Sequence, residues 1–466
     1  MRPSLSALPR ARYGLTFLLL QNTHAPQTSG FFPTFAAHAV SSQTMNQYFP
    51  NSDEMASLRR FVADNAAELP ERLRLKYHGD GRPWIPMAIS HLESLRKSGR
   101  KFIEWSPAFM PVPLSVEQAS SEKVAALHGR IAAAIAPGCS RFVDLTCGLG
   151  IDCRAIVEAL DAGIEGRESR VEAFAIEMSP LLALTAAFNF GEAGVENIDV
   201  VEAECRSWLE DYIGEPFGLA FIDPARRGAD GARVYNIHDC SPDVATMGEL
   251  FARKAPLVMA KLSPMLDITQ TLRDLPATVS LHVVDDGSEC RELLAVLDYR
   301  GWECAAGLDA EIVVDSADRP PFRFTLAENA SASVELGDPA VGMWLFEPSP
   351  AAMKAAPFAL LCSRFGLRKI HPNTNLFVAD SVVEGLPGKW MEIVEVLPFA
   401  SNVIKGFASR YGRADVAVRN FPLTAAQLGA RLKIKSGGLL RVVGVTLRGS
   451  GRTASQQSQS LLILRK

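Results

Sequence analysis

The chain has 466 residues, 48% of them hydrophobic and 21% charged, and a formal net charge of −4. That length exceeds what one hydrophobic core organises, so two or three domains of an ordinary globular composition are expected. No apolar run approaches the ~18 residues of a membrane-spanning helix, and the eight cysteines include no Cys-x-x-Cys pair. These features exclude a transmembrane anchor and a zinc ribbon, and point to reduced thiols in a cytoplasmic protein without a metal.

The modest net charge hides a division. Residues 363–466 hold 16 Lys+Arg against 5 Asp+Glu, or +11, which leaves −15 for the rest of the chain. A basic C-terminal block on an acidic body is the footprint of a polyanion-binding module.

Residues 1–45 carry three arginines and no acid among many Ser, Thr, Ala and Pro. They read as a disordered extension, either an organelle transit peptide or a start taken too early. Met45 as the true beginning is preferred, because no amphipathic helix or cleavage pattern is present. Residues 46–137 have a mostly helical pattern, broken at Pro107, Pro111 and Pro113. Ser120 or Ser121 is placed to cap the Ala-rich helix that ends near Ile135.

Residues 138–318 alternate between short apolar runs and helical segments, the pattern of a parallel sheet with ligands at the carboxyl ends of its strands. The first run ends at Asp144. It is followed by the turn Leu145-Thr146-Cys147-Gly148-Leu149-Gly150, and a helix starts at Ile151. Gly148 and Gly150 allow a tight bend and a close approach to a ligand. No Lys-Ser/Thr pair ends this turn, which excludes a phosphate-cradling P-loop. Further strands are expected at 171–176, 198–201, 219–222, 257–262 and 281–284. Residues 319–362 read as a Pro- and Ala-rich connecting region, and 363–466 as a smaller basic α/β unit closed by a hairpin.

Three strand ends carry acids. Asp144 is placed to meet a cationic centre, Glu177 to accept ribose hydroxyls, and Glu204 to accept from an exocyclic adenine amine. Together they fit S-adenosylmethionine. The fourth strand ends in Asp223-Pro224-Ala225-Arg226-Arg227, where a methyl acceptor would lie. Pro224 fixes the backbone, Asp223 accepts from a planar amine, and Arg226 stacks on a base or pairs with a phosphate. Ala225 and Arg226 stand where related turns carry proline and an aromatic residue. Cys240 and Cys290 lack the Pro-Cys context of a carbon-5 nucleophile and read as buried thiols, so nitrogen methylation is expected. His238 and His282 read as packed or surface residues.

These blocks, in this order, resemble the class I S-adenosylmethionine-dependent methyltransferase family with a THUMP-like C-terminal domain. The likeness also takes in Glu117-Gln118-Ala119-Ser120-Ser121-Glu122, Leu262-Ser263-Pro264-Met265-Leu266-Asp267 and Glu289-Cys290-Arg291-Glu292-Leu293-Leu294. In the C-terminal unit it includes Phe365-Gly366-Leu367-Arg368-Lys369-Ile370-His371-Pro372-Asn373 and Arg419-Asn420-Phe421-Pro422-Leu423. The resemblance implies a Rossmann-like α/β core after a helical N-terminal region. It implies a donor site at Asp144, Thr146, Gly148, Gly150, Glu177 and Glu204, and an acceptor site at Asp223, Pro224 and Arg226. A THUMP-like module further implies structured RNA, transfer or ribosomal, with Arg227, Arg368, Lys369, Arg419, Lys433 and Lys435 as phosphate contacts. Two other readings stay open at this point: a small-molecule or protein methyltransferase, and a non-catalytic RNA-binding protein.

Overall fold

The computed structural model describes residues 49–163, 170–226, 236–301, 307–316, 318–448 and 457–466. The 1–45 extension and Arg227 lie outside the described residues. Helices come first: Ser52–Asp64, Pro70–Lys76, Trp84–Ser98, Pro113–Gln118 and Glu122–Ile135. The first opens with a full capping box, Asn51 accepting from the amide of Glu54 while Glu54 accepts from that of Asn51. Leu58, Leu73, Ile85, Ala88, Ile89 and Leu92 close the space between the first three helices. A reciprocal pair of buried hydrogen bonds fixes this N-terminal layer to the helix Pro180–Glu192 of the next domain. Phe109 N–H donates to Asn189 Oδ1 at 2.8 Å, and Asn189 Nδ2 donates to Phe109 O at 2.9 Å.

Among the described residues the main sheet has nine strands: β1 Arg141–Asp144, β2 Glu172–Glu177, β3 Ile198–Glu202, β4 Leu219–Ile222, β7 Leu257–Leu262, β8 Thr278–Asp285, β9 Cys290–Asp298, β10 Glu311–Ser316 and β11 Arg319–Thr325. The short pair β5 (Ala225–Arg226) and β6 (Cys240–Ser241) forms a separate ribbon. The spatial order is β11-β10-β8-β9-β7-β4-β1-β2-β3. β1 is parallel to β2 on one side and to β4 on the other, so the strand order reverses at β1. The crevice of an open α/β sheet lies at such a reversal, at the carboxyl ends of the two strands. β9 runs antiparallel between β7 and β8.

Among the described residues the second sheet holds seven strands: β12 Trp344–Pro348, β13 Arg368–His371, β14 Thr374–Ala379, β15 Gly388–Pro398, β16 Asp415–Arg419, β17 Leu440–Arg448 and β18 Gln457–Arg465. Its order is β13-β14-β12-β15-β18-β17-β16. β17 and β18 form the expected closing hairpin. Glu347 on β12 reaches Arg419 on β16 at 2.7 Å and Arg441 on β17 at 2.6 Å, although β15 and β18 lie between them in the sheet. The sheet is therefore strongly curled. Helices Ser401–Tyr411 and Ala425–Leu432 cover one face through Phe407, Leu428 and Leu432.

The passage 319–362 is not a connecting region. Residues 319–325 pair with β10 as the last strand of the first sheet, and Trp344–Pro348 sits inside the second. Arg319–Thr325 alternates only from Phe322 onward, after two prolines, and Trp344–Pro348 offers only three apolar residues before Glu347, so neither strand is legible in the sequence.

Candidate active site

The glycine turn is held from both sides. Gly148 and Gly150 adopt φ of +57° and +81°, the left-handed region that residues with a Cβ avoid. A Cβ on Gly150 would lie 2.5 Å from the Phe190 ring, whereas one on Gly148 would meet nothing within 4 Å. One glycine is thus required by packing, and the other leaves open space for a ligand. Behind the turn, Leu149 and Ile151 pack on Phe102, Met110 and Val116 of the N-terminal region. Leu149 therefore points away from the cleft.

Four of the expected residues converge here. Asp144, 1% exposed at the end of β1, accepts from the Thr146 amide at 2.9 Å. The Thr146 hydroxyl accepts from the Asp223 amide at 2.6 Å, which ties the ends of β1 and β4 together. Glu177 accepts from the amides of Gly148 and Ser179, each at 2.8 Å. Burial raises the Asp144 carboxyl well above the usual range against the Thr146 hydrogen bond, and the carboxylates of Asp152, Asp223 and Glu177 add to the rise. So many acids around one turn favour a cation.

Glu204 has another task. It caps the helix Cys205–Asp211, its two oxygens accepting from the amides of Arg206 at 3.1 Å and Ser207 at 2.9 Å. It is exposed, so the capping carboxylate also faces solvent. Pro224 is buried, and Ala225–Arg226 pairs as β5 with Cys240–Ser241. Arg226 is described by its backbone alone. Cys240 is buried, and burial pushes the half-buried Cys290 thiol up to about 11. His238 is exposed beside Asp243, and His282 is buried against Asp315.

Sequence reasoning missed the charges beneath the site. Lys261 Nζ lies 2.6 Å from Asp223 Oδ2 and 3.9 Å from Asp152 Oδ2. Asp152, in the first turn of the helix Ile151–Ala162, accepts from Ser120 Oγ and pairs with His128 Nδ1, both at 2.8 Å. His128 Nε2 bonds to Glu292 on β9. Ser121, not Ser120, caps the Glu122–Ile135 helix. The available signal was Lys261 itself, the one ionic residue in Leu257-Val258-Met259-Ala260-Lys261-Leu262.

Comparison with known proteins agrees with this architecture. Residues 344–387 match a ferredoxin-like domain model and residues 388–455 a THUMP domain-like model. The chain superposes on the crystal structure of a presumed methyltransferase from Porphyromonas gingivalis W83 with a TM-score of 0.73 and 27% identity, covering 90% of this chain and 99% of that one. The chain carries a THUMP-like domain on a methyltransferase-type fold. A presumed methyltransferase of Escherichia coli (TM-score 0.26, 17% identity, 37% of this chain and 84% of that one) overlaps too little to bear on the argument. The same holds for one of Listeria monocytogenes (0.31, 10%, 53% and 88%). No curated protein matches the chain.

Within the THUMP-like domain and the ferredoxin-like domain before it, the expected phosphate contacts divide. Lys433 and Lys435 are exposed. Arg368 pairs with Asp380, and Arg419 with Glu347. Lys369 is only 8% exposed, donates to Pro372 O at 2.7 Å, and is held below its ordinary pKa by burial. It is a structural residue, not a phosphate contact. Neighbouring residues of a strand face opposite sides, so Arg368 and Lys369 cannot serve one surface. A cavity of about 670 Å³ lies against the second sheet, lined by Arg319 of β11 and by Lys389, Trp390, Asp415, Arg441 and Lys466, among others. Among the described residues no helix is long and apolar enough to cross a membrane.

Proposed function

We propose that this protein is a cytoplasmic S-adenosylmethionine-dependent methyltransferase that modifies a base nitrogen in structured RNA, transfer or ribosomal. The observation that carries the reading is the meeting of Asp144 and Asp223 through Thr146 at the carboxyl ends of β1 and β4, beside the open Gly148 turn. The residues suit the donor: carboxylates crowd the turn, and the missing Cβ of Gly148 leaves room. When bound, S-adenosylmethionine supplies a methyl group already activated on a sulfonium, so the protein contributes mainly orientation and charge. Gly148, Thr146, Asp144 and Glu177 would hold it, Glu177 also bracing the turn through the Gly148 amide.

At the acceptor side, Asp223 offers a carboxylate to the N–H of the incoming amine, on a backbone stiffened by Pro224. The THUMP-like domain model and the +11 charge of residues 363–466 support RNA as the partner.

Calorimetry with S-adenosylmethionine should show binding that Asp144→Ala abolishes. Labelled donor with total RNA should label an RNA fraction, and Asp223→Ala should stop it. Nucleoside mass spectrometry on RNA from cells with and without the gene names the modified position. Binding of donor and RNA without labelling would instead select a non-catalytic role, and labelling of protein or small molecules would replace the acceptor.

A further inference from the structure

Beneath the acceptor site lies a connected set of ionic groups from five parts of the chain. Asp223 comes just after β4, Lys261 is on β7, Asp152 opens the helix Ile151–Ala162, His128 is on the helix Glu122–Ile135, and Glu292 is on β9. His128 is wholly buried and its two ring nitrogens face different carboxylates. A neutral imidazole has one N–H, so only the imidazolium satisfies both. Burial opposes that charge, but Glu292 and Asp152 outweigh it and lift His128 to about 10. Lys261 is likewise held protonated by Asp223, Asp152 and Glu292 against its burial.

Buried ion pairs are a poor source of stability, because desolvation offsets most of the attraction, and apolar residues of similar volume often do better. Such a set directly under a candidate acceptor carboxylate is better explained by a role in the site. Lys261 grips one oxygen of Asp223, Oδ2, at 2.6 Å. That holds Oδ2 in place and leaves Oδ1 for the acceptor. The anchoring continues downward: Asp152 draws Lys261 from the other side, and Asp152 is itself held by Ser120 and His128.

We propose that Lys261 is a positioning residue of the methyl transfer, aiming Asp223 at the acceptor's N–H, with His128 holding Asp152 and Glu292 so that Lys261 stays in place. This role rests on the reading of Asp223 as the acceptor's partner. The acceptor nitrogen gains the methyl carbon as the sulfur keeps the electron pair of the broken S–C bond. Its N–H proton passes to Asp223 Oδ1 and from there to water. The charged groups acting on Asp223 are Lys261, Asp152, Glu292 and Asp144.

The first test needs no substrate. The full chain is labelled with carbon-13 at the aspartate carboxyls, and Asp223 is identified by subtracting the Asp223→Asn spectrum. Lys261→Met should move the Asp223 titration upward by about one pH unit or more, and Lys261→Arg should restore it. An unmoved titration in Lys261→Met overturns the proposal. In the second test, tritiated donor and total RNA are used with the same variants. Lys261→Met should slow labelling at least ~100-fold with donor affinity unchanged by calorimetry, and Lys261→Arg should recover about a tenth of the wild-type rate or more. If the wild type labels no RNA, the functional reading falls. If it labels RNA and Lys261→Met labels as fast, the positioning role alone falls. Thermal melting checks that each variant is folded, and Lys261→Gln replaces Lys261→Met in both tests if the latter does not fold.

Discussion

Glu177 reaches from the end of β2 to the amide of Gly148, 2.8 Å away and 29 positions earlier in the chain. Its other oxygen holds the amide of Ser179, so one carboxylate braces the glycine turn and the start of the helix Pro180–Glu192. Glu177→Ala should therefore lower donor affinity by about tenfold or more, and destabilise the fold by about 1–3 kcal/mol through the two amides left without an acceptor. Calorimetry and denaturant unfolding measure both. Lost affinity with full stability would favour direct contact with the donor over bracing.

Gly150 tests the turn's geometry separately. Gly150→Ala forces a Cβ into a left-handed backbone and against Phe190, and should cost about 2–4 kcal/mol. Phe190→Leu in the same chain should recover the steric part and leave the backbone strain. Unfolding of the single and double variants gives the division, and additive losses would deny the contact.

Stability should depend on pH in two opposite ways. His128 is raised to about 10, so its contribution is complete below its ordinary value of about 6.5 and is lost as pH rises towards 10. Asp152 is lowered to about 2 by His128 and Lys261 against its burial, so its contribution is complete above about 4 and is lost as pH falls towards 2. Denaturant unfolding between pH 6 and pH 10 on wild type and His128→Asn should show a decline in the first that is missing in the second. Parallel slopes would remove His128 as its source. His128→Asn itself should cost about 3–5 kcal/mol at neutral pH, because it strands the buried Glu292 carboxylate and takes one partner from Asp152.

RNA binding should respond to salt and to the exposed cations. Affinity for total transfer RNA should fall about 100-fold between ~50 and ~200 mM salt, and the joint change Lys433→Ala with Lys435→Ala should flatten that slope. Lys369→Ala should leave the slope unchanged and lower the melting temperature instead. Filter binding and melting curves separate the two effects.

Much of the site could be read locally. Asp144, Gly148 and Gly150 lie within seven consecutive residues, and each property they need, a strand end or a tight bend, is encoded by immediate neighbours. The Asp223-Pro224 turn is equally local. The capping role of Glu204 was hidden for the converse reason: a strand-end acid and a helix N-cap look alike in sequence, and only the amides of Arg206 and Ser207 show the cap.

The sequence by itself determined the alternating elements of the core, the bend after β1, the acids at the strand ends and the basic character of residues 363–466. Those are properties of short windows and of composition. Folding in three dimensions decided which charges meet: Lys261 with Asp223 across 38 positions, His128 with Glu292 across 164, and Glu347 with Arg441 across 94. Such pairings arise from strand order, register and sheet curl, which no short stretch of the chain contains.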